Sequence, residues 1–372
     1  MIEIRERFDR RLDRDFSSLG NDNTNLAYSR WRIGGESEDR EGRKLRVVYQ
    51  LYWDISKRQG GPEASSLRSD LYEASYLLPI GSAEVKAGRQ EVVRGDGRIL
   101  GNSDWGTGLS WDGLRIDAGA VEAFIGQMGA SSRANYEVRM GYLGYTWDLG
   151  QTTALYTVNG RSVPEDRIWA LDHYWTGRRG QWTFWMEGTV QGGERSGKTL
   201  SAFSGFGRAQ YRADPKWAVH AEVALASGGE SAGRSSSNDP LFMSTHNRYG
   251  VIDMQTNRNF KGLNLGVTHT PDPNVSVRLD YWKFYLYDKT DGWFGTSGAI
   301  NPRVGGLYID PTGAAGDDLG SEIDLYGTLK IAPNHELLAG ASVFMPGSFQ
   351  KSFNPGTSRN QYWIYAQWQV KF

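Results

Sequence analysis

The sequence predicts an all-β protein, a transmembrane antiparallel β-barrel of about 18 strands. Segments of alternating apolar and polar residues recur along the chain, and the connections between them alternate between short and long. The last segment, Tyr362 to Phe372, is apolar at every second position and ends on an aromatic residue, as bacterial outer-membrane barrels usually do. Because side chains of a strand point alternately to its two faces, this strand has one apolar and one polar face.

A strand with these two faces also fits the edge of a soluble antiparallel sheet, so the final strand alone does not decide between the two folds. The hydrophobic fraction is 39% and the mean hydropathy is -0.55, with no run of about 18 apolar residues that could span a bilayer as a helix. Barrels carry their membrane affinity in alternation, and the 14 Trp, 19 Tyr and 14 Phe suit two interfacial girdles.

Period-two alternation predicts eighteen strands, an even number as single-chain bacterial barrels require. Most are about ten residues long, the length that a tilted strand needs to cross a bilayer. They begin near Ile2, Asn25, Lys44, Asp70, Ala83, Ser110, Val121, Tyr136, Thr152, Arg167, Trp182, Leu200, Lys216, Gly262, Val275, Ser321, Glu336 and Gln361.

The connections provide an independent test, because outer-membrane barrels have short periplasmic turns and longer extracellular loops. The turns PIGS, DLGQ, GRRG, DPK, PDPN and APNH fall at the predicted periplasmic positions, where only GGESEDREG is longer. The opposite positions hold the long segments 57–69, 92–109, 226–261, 288–320 and 346–360. A soluble sandwich has no reason to alternate in this way, so we expect residues 1–372 to form one barrel. Loops 92–109, 226–261 and 288–320 are expected to be extracellular or to fold into the lumen.

Charged residues on the strands identify the face that points to the lumen, because a midplane Arg on the lipid face costs about 2 to 4 kcal/mol. Between Leu45 and Ile55, for example, the odd-numbered residues are mostly apolar, whereas Arg46 and Asp54 share the other face. The same reasoning places these basic residues in the lumen: Arg5, Arg7, Arg30, Arg32, Arg46, Arg115, Arg139, Arg208 and Arg278. It places these acids beside them: Asp54, Glu73, Asp117, Glu137, Glu187, Glu222, Asp280 and Asp324.

Most of these charges are expected to pair into a lattice that fills and stiffens the barrel. An unpaired surplus of Arg would instead form a positive constriction that attracts anions, since charged rings set pore selectivity. Only 11 of the 42 basic residues are Lys, and Arg binds planar carboxylates through a fixed fork of donors. Arg89 follows outward Ala83, Val85 and Ala87, so it reaches the lumen only through a bulge at Gly88 or from a position beyond the hydrocarbon.

Other classes of function receive little support. The net charge of -1 and pI of about 6.6 argue against a nucleic-acid binder, and the absence of cysteine excludes disulfides and thiolate metal sites. The five histidines are scattered without ligand spacing, so no cofactor or metal is expected. The first residues, MIEIRERFDRR, lack the apolar core of a signal peptide, and we expect them to start the mature chain.

Three segments resemble the alginate-export family of outer-membrane barrels. The first is GRQEVVRGDGRILGNSDWGTGLSWDGLRID (88–117), in which a GRQ strand end leads through a long loop to a WDGLR strand start. The second is DPLFMSTHNRYGVID (239–253), and the third is LGSEIDLYGTLKIAPNHELLAGASVFMPGSF (319–349). Together they cover about a quarter of the chain.

The resemblance implies a monomeric, porin-like channel of eighteen strands that passes an anionic polysaccharide or other anionic solutes through an Arg-rich lumen. The matching residues are Arg89 and Gln90 in GRQ, Arg115 in WDGLR, and Glu322 and Asp324 in SEID. With the face assignment, the predicted pore-lining set is Arg30, Arg32, Arg46, Arg89, Gln90, Arg115, Asp117, Arg139, Arg208, Arg278, Asp280, Glu322 and Asp324.

The partners expected of such a channel are outer-membrane lipid, lipopolysaccharide and, through the C-terminal strand, the barrel-assembly machinery. Two alternatives remain open at this point. One is an outer-membrane hydrolase, which would need Ser, His and an acid converging near the rim. The other is a structural or partner-binding barrel that is plugged by its own loops.

Overall fold

The computed structural model describes residues 1–19, 22–58, 62–129 and 137–372. Eighteen long strands form one closed antiparallel barrel. The first thirteen are β1 (Ile2–Leu12), β2 (Thr24–Glu38), β3 (Lys44–Arg58), β4 (Glu63–Ile80), β5 (Ala83–Gln90), β6 (Trp111–Ala118), β7 (Val121–Met128), β8 (Val138–Trp147), β9 (Gly150–Asn159), β10 (Asp166–Arg179), β11 (Trp182–Arg195), β12 (Lys198–Arg212) and β13 (Trp217–Ala226).

Two short hairpins interrupt the series: β14 (Glu230–Ser231) with β15 (Arg234–Ser235), and β18 (Pro302–Arg303) with β19 (Gly306–Leu307). The barrel continues through β16 (Phe260–Asp272), β17 (Val275–Tyr285), β20 (Asp318–Ala332), β21 (His335–Pro346) and β22 (Gln361–Lys371). A helix of six residues, α1 (Ser348–Phe353), precedes the last strand. None of the described helices has the length and apolar content needed to span a bilayer.

The barrel closes where β1 pairs with β22 in an antiparallel register that sets Ile4 opposite Val370. The amide of Ile2 donates to the carbonyl of Phe372 at 2.9 Å, and the amide of Phe372 donates back at 2.8 Å. The all-β, 18-stranded barrel predicted from the alternation is therefore confirmed. The strand starts agree within three residues, except that β4 begins at Glu63 and not near Asp70. The start predicted near Tyr136 lies outside the described residues.

The two ends of the barrel differ as the sequence predicts. One end has tight turns such as 81–82, 148–149 and 333–334, and the other has the connections 91–110, 227–259, 286–317 and 347–360. By the rule for outer-membrane barrels, the end with tight turns faces the periplasm. The expected long segment 57–69 is mostly strand, because β3 runs to Arg58 and β4 resumes at Glu63.

The outer wall is apolar and the lumen is filled from the extracellular end. Leu143, Trp169, Val223 and Leu265 are about half exposed on the outward face, the pattern expected of side chains that meet lipid. Inside, side chains of the long connections pack against inward strand residues in a buried cluster that includes Trp293, Tyr308 and Phe344. The barrel therefore encloses its own loops, and these loops shape the space that is left.

Candidate permeation pathway

A cavity of about 1690 Å³ lies in the lumen, lined by residues of the long connections and of strands that include β1, β2, β3, β9, β10 and β22. Its extracellular part is bordered by Arg58, Arg161 and Arg303, and it extends to Gln367 and Gln369 on β22. Among the described residues, its charged lining consists of eight arginines and seven aspartates, without any Lys or Glu. These are Arg5, Arg7, Arg11, Arg14, Arg58, Arg161, Arg248 and Arg303, with Asp9, Asp15, Asp22, Asp104, Asp166, Asp239 and Asp253.

One wall of the cavity is the connection between β5 and β6, residues 91–110, which we name the constriction loop. Its Asp104 carboxylate lies 2.9 Å from Arg5, 3.1 Å from Arg30 and 2.8 Å from Arg32. Burial alone would raise the pKa of Asp104, but the charges of these three guanidiniums outweigh burial and lower the pKa well below its usual range. Asp104 is therefore held ionised and fixes the loop to β1 and β2.

Aromatic contacts next to Asp104 complete this attachment. The Arg7 guanidinium stacks over Trp105 at 4.1 Å and over Tyr28 at 4.5 Å, and the Tyr28 hydroxyl donates to the Gly106 carbonyl at 2.8 Å. A guanidinium over an aromatic face is attracted by the ring quadrupole. Arg7 thus lines the cavity from a position set by the loop and the wall together.

A second connection enters the lumen between β15 and β16, residues 236–259, which we name the inner loop. The Val251 and Ile252 amides donate to a Glu322 carboxylate oxygen at 2.7 and 2.9 Å, and Asp324 lies 3.3 Å from the Val251 amide. Gly250 precedes them with a φ of +81°, and a side chain there would overlap Glu322 at about 2.5 Å. The two acids of β20 therefore hold the inner loop by its backbone.

The constriction loop and the inner loop meet inside the barrel. Trp105 stacks on His246 with ring centroids 3.6 Å apart, and the His246 Nδ1 lies 2.8 Å from Asp253. Arg248 pairs with Asp96 at 3.1 Å on the other side of this junction. The two loops thus form one partition inside the barrel, and residues of both loops line the cavity.

The β1 wall of the cavity carries a row of arginines that also bind the partition. Arg5, Arg7 and Arg11 share the inward face of β1, and Arg14 follows the strand toward the extracellular end. The Arg11 guanidinium lies 5.0 Å from the Trp363 ring and donates to the Ile252 carbonyl at 2.8 Å. Planar guanidiniums in such a row can exchange one carboxylate or phosphate for the next through paired hydrogen bonds.

None of the thirteen predicted pore-lining residues belongs to the lining of this cavity, although most face the interior. Arg30 and Arg32 lie behind the constriction loop, where Arg30 is wholly buried and contacts Glu3. Glu322 and Asp324 are wholly buried beneath the inner loop. These four residues anchor loops, so their contribution to the pathway is to position its walls.

Six more of the predicted residues face the lumen away from the cavity. Arg115 pairs with Asp117 at 2.9 Å, and Arg278 pairs with Asp280 at 2.8 Å beside a buried His220. Arg208 faces the Trp185 ring at 5.4 Å. Arg46 contacts Glu73 near the periplasmic end of β3. These pairs fit the lattice interpretation of the lumen charges.

Two predicted lumen positions are wrong. Arg139 lies on the outer face of β8 with Leu143, is 63% exposed and pairs with Glu165 at 3.5 Å. The inward face of β8 carries Met140 and Tyr142, which pack against the constriction loop cluster. The inward face of β8 is apolar because the constriction loop packs against it. The rule that charged strand residues face the lumen therefore fails for this strand.

The second wrong position is Arg89. The register of β5 stays regular through Gly88, so no bulge returns Arg89 to the lumen. It lies opposite Asp112, two residues from outward Leu114, and forms an ion pair with Asp112 at 2.6 Å. Its neighbour Gln90 does point inward, where its amide donates to backbone carbonyls such as that of Gly113.

Sequence reasoning found Arg5 and Arg7 but missed the arginines nearer the extracellular end. Arg11 follows the same alternation on β1, so this one could have been found. Arg14, Arg161, Arg248 and Arg303 lie in connections, where no periodicity marks the side that faces the cavity. Asp104 and Trp105 were likewise hidden within a loop whose direction the sequence leaves open.

Comparisons with known proteins agree with this architecture. The chain matches the profile of a family described as alginate export over residues 2–363. Among solved structures, the outer membrane protein OprD from Pseudomonas aeruginosa is 10% identical with a TM-score of 0.59, covering 100% of this chain and 93% of that chain. OccK7 (OpdD) of Pseudomonas aeruginosa is 12% identical with a TM-score of 0.62, covering 99% and 98%. No curated protein matches the sequence.

Proposed function

Because the chain belongs to the alginate export family and is therefore a bacterial outer-membrane channel protein, we propose that it conducts small anionic solutes along its Arg-lined cavity. The observation that carries the proposal is the row of arginines on β1, in which Arg5 is bound by Asp104 and Arg7 and Arg11 also line the cavity. Acids of the lining alternate with these arginines, so the pathway is not uniformly positive. The proposal therefore concerns solutes that engage individual guanidiniums through a carboxylate.

The electrostatic setting supports anion selection. Asp104 is engaged by three guanidiniums, so this acid is not a free negative charge in the pathway. Arg7 and Arg11 lie against aromatic rings and line the cavity. Low-dielectric walls focus the field of such groups, so a small surplus of positive charge raises the local concentration of anions.

The size of the pathway favours small solutes over a polymer. Both loops fold into the lumen and meet at Trp105 and His246, so they occupy space that a polymer would need. An anionic polysaccharide such as alginate, suggested by the family's description, would need the partition to move aside. We therefore place a carboxylated monosaccharide or short acid first and the polymer second.

The decisive experiment uses the purified protein in a planar bilayer under a KCl gradient. The reversal potential should show a preference for chloride, and Arg7→Gln combined with Arg11→Gln should reduce that preference. Arg43→Gln, at an exposed periplasmic turn, is the control and should leave it unchanged. Glucuronate should interrupt the current of the wild-type channel more strongly than glucose does. A cation-selective channel, or one that is indifferent to the double substitution, would overturn the proposal.

Two alternatives make different predictions in the same assay. A barrel that is plugged by its loops would pass no current until Asp104→Asn loosens the partition. A hydrolase would pass no current at all and would cleave lipid in detergent. Membership in an export family favours the channel over both.

The environment of the barrel completes the proposal. The channel lies in outer-membrane lipid, and its apolar wall fits a monomer surrounded by lipid on all sides. We propose that β22, which ends on Phe372 and pairs with β1 last, is the segment engaged by the barrel-assembly machinery.

A further inference from the structure

The outer wall carries a concavity that has no part in the permeation pathway. It has a volume of about 1130 Å³ and lies across β6 to β10, on the side of the barrel that faces the membrane. Its upper edge is polar and its floor is apolar. An amphiphilic ligand would match this division.

The polar edge is a single row defined by strand register. Asp112 is opposite Gln127, Gln127 opposite Arg139, and Arg139 and Arg167 are both opposite Val158. Since neighbouring strands lie about 4.8 Å apart, these side chains form a band on the outer surface, in which Val158 of β9 lies between Arg139 and Arg167. β8 and β10 start at the extracellular end, so the band lies at the height of the outer leaflet.

Two guanidiniums converge at the centre of this band. Arg139 and Arg167 lie 3.5 and 3.0 Å from the two oxygens of the same Glu165 carboxylate, and their side chains are 63% and 58% exposed. The two guanidiniums share this carboxylate, and both side chains are more than half exposed. The other charged groups in the row are the Arg89–Asp112 ion pair and the exposed Glu194 opposite Arg167. Paired arginines of this kind are suited to bidentate binding of phosphate.

The apolar floor begins one row below. Ile125, Tyr156 and Trp169 flank Gly141 on the outward face, and Ala154 continues the depression toward the membrane centre. A side chain built at Gly141 would meet only the Phe124 carbonyl at 3.4 Å, so the space above it is open. Small residues between large ones leave a groove of the kind that an acyl chain fills.

We propose that this outer-wall groove binds the lipid A portion of lipopolysaccharide, with a phosphate on Arg139 and Arg167 and an acyl chain over Gly141. The height of the band selects the outer leaflet, where phosphorylated glycolipid is the anionic lipid. Scattered polar residues at a membrane interface would explain the band but neither the convergence of two guanidiniums nor the groove directly beneath them.

Native mass spectrometry of the detergent-solubilised protein tests the site with lipid A that carries two phosphates. Wild type should retain the lipid, and Arg139→Gln with Arg167→Gln should weaken retention about tenfold or more, since hydrogen bonds between charged groups are lost. Arg178→Gln with Arg179→Gln removes the same charge from the periplasmic end of the same strand and should leave retention unchanged. Equal retention by the two double variants would overturn the proposal.

Two further measurements separate the headgroup from the chain. Dephosphorylated lipid A should bind the wild type as weakly as lipid A binds the Arg139, Arg167 variant. Gly141→Phe, which fills the groove but keeps both arginines, should also weaken lipid A retention, whereas unchanged retention would refute the groove as the acyl site. Phosphatidylglycerol that binds as well as lipid A would show general recognition of lipid phosphate and would overturn the assignment to lipopolysaccharide.

Discussion

Asp104 combines the burial, charge and geometry on which the pathway depends. Its carboxylate is one-third exposed, whereas the side chains of Arg5, Arg30 and Arg32 are almost wholly buried. Water can solvate the acid but not the three guanidiniums behind it. The constriction loop therefore stays bound to the wall, because its detachment would leave buried guanidiniums without a negative partner.

Replacement of Asp104 by Asn should loosen the constriction loop and destabilise the barrel. Loss of one partner from a buried ion pair costs about 3 to 5 kcal/mol, and partial exposure of Asp104 reduces this to about 2 to 3 kcal/mol. The midpoint of denaturant unfolding should fall. The single-channel conductance should rise. Asp39→Asn, in an exposed turn pair with Arg43, is the matched control. An unchanged conductance would mean that Asp104 does not hold the partition.

The low pKa of Asp104 makes a separate prediction for pH. A carboxyl with a depressed folded pKa contributes stability above its ordinary value of about 3.9, and this contribution is lost only as pH falls through the lowered folded value. The conductance ratio of Asp104→Asn to wild type should therefore be the same at pH 7 and at about pH 4. If Asp104 had an ordinary pKa, the two proteins would converge at the lower pH.

For individual residues, the sequence predicted the direction of a side chain more reliably than the contacts that the side chain makes. Alternation correctly placed Arg30 and Arg32 inside, but their partner Asp104 lies some 70 residues away in a loop without periodicity. Arg139 was misplaced for a related reason, because the loop cluster makes the inward face of β8 apolar. The missing information in both cases was the path of the constriction loop.

Among the elements, the inner loop depends on one backbone conformation. Gly250 has a φ of +81°, and a methyl group there would overlap the Glu322 carboxylate that accepts the Val251 and Ile252 amides. Two acids thus bind a loop through main-chain donors, and the contact requires a residue without a side chain.

Gly250→Ala should detach the inner loop from β20 and increase the single-channel conductance. Gly233→Ala is the matched control, because Gly233 has a similar φ of +74° but open space around the added methyl group. Both variants bear the cost of a left-handed alanine of about 1 to 2 kcal/mol, so only the overlap distinguishes them. Equal conductance in the two variants would show that the Glu322 contact does not restrain the loop.

Strands were more predictable than loops for a physical reason. A strand that crosses a membrane must alternate along its whole length, so β3, β17 and β22 start at the predicted residues. A loop that folds inward is stabilised by contacts with distant segments, such as Trp105 with His246, and these leave no local pattern. The length of the loops therefore showed that they could fold into the lumen, but it did not show whether they do so.

For the whole molecule, closure is the property that turns a sheet into a membrane protein. An open sheet would expose unpaired amides and carbonyls of β1 and β22 to lipid, where each costs several kcal/mol. The register between these strands also fixes which residues of β1 face the cavity, because a slip by one residue would turn Arg5, Arg7 and Arg11 outward. Closure and selectivity therefore depend on the same seam.

A designed disulfide across the seam tests both. The chain has no cysteine, and Phe8 and Ala366 are opposite each other on the outward face of β1 and β22. Facing Cα atoms in antiparallel strands lie about 4.5 to 5.5 Å apart, within the range that a disulfide accepts. Phe8→Cys with Ala366→Cys should therefore cross-link on oxidation and change the mobility of the heat-denatured chain on a gel.

Phe8→Cys with Gln367→Cys is the control, because Gln367 faces the lumen and its side chain points away from the partner. A cross-link in the control but not in the designed pair would mean that the strands are displaced by one residue. The arginine row would then face lipid, and the proposed pathway would be lost along with the register.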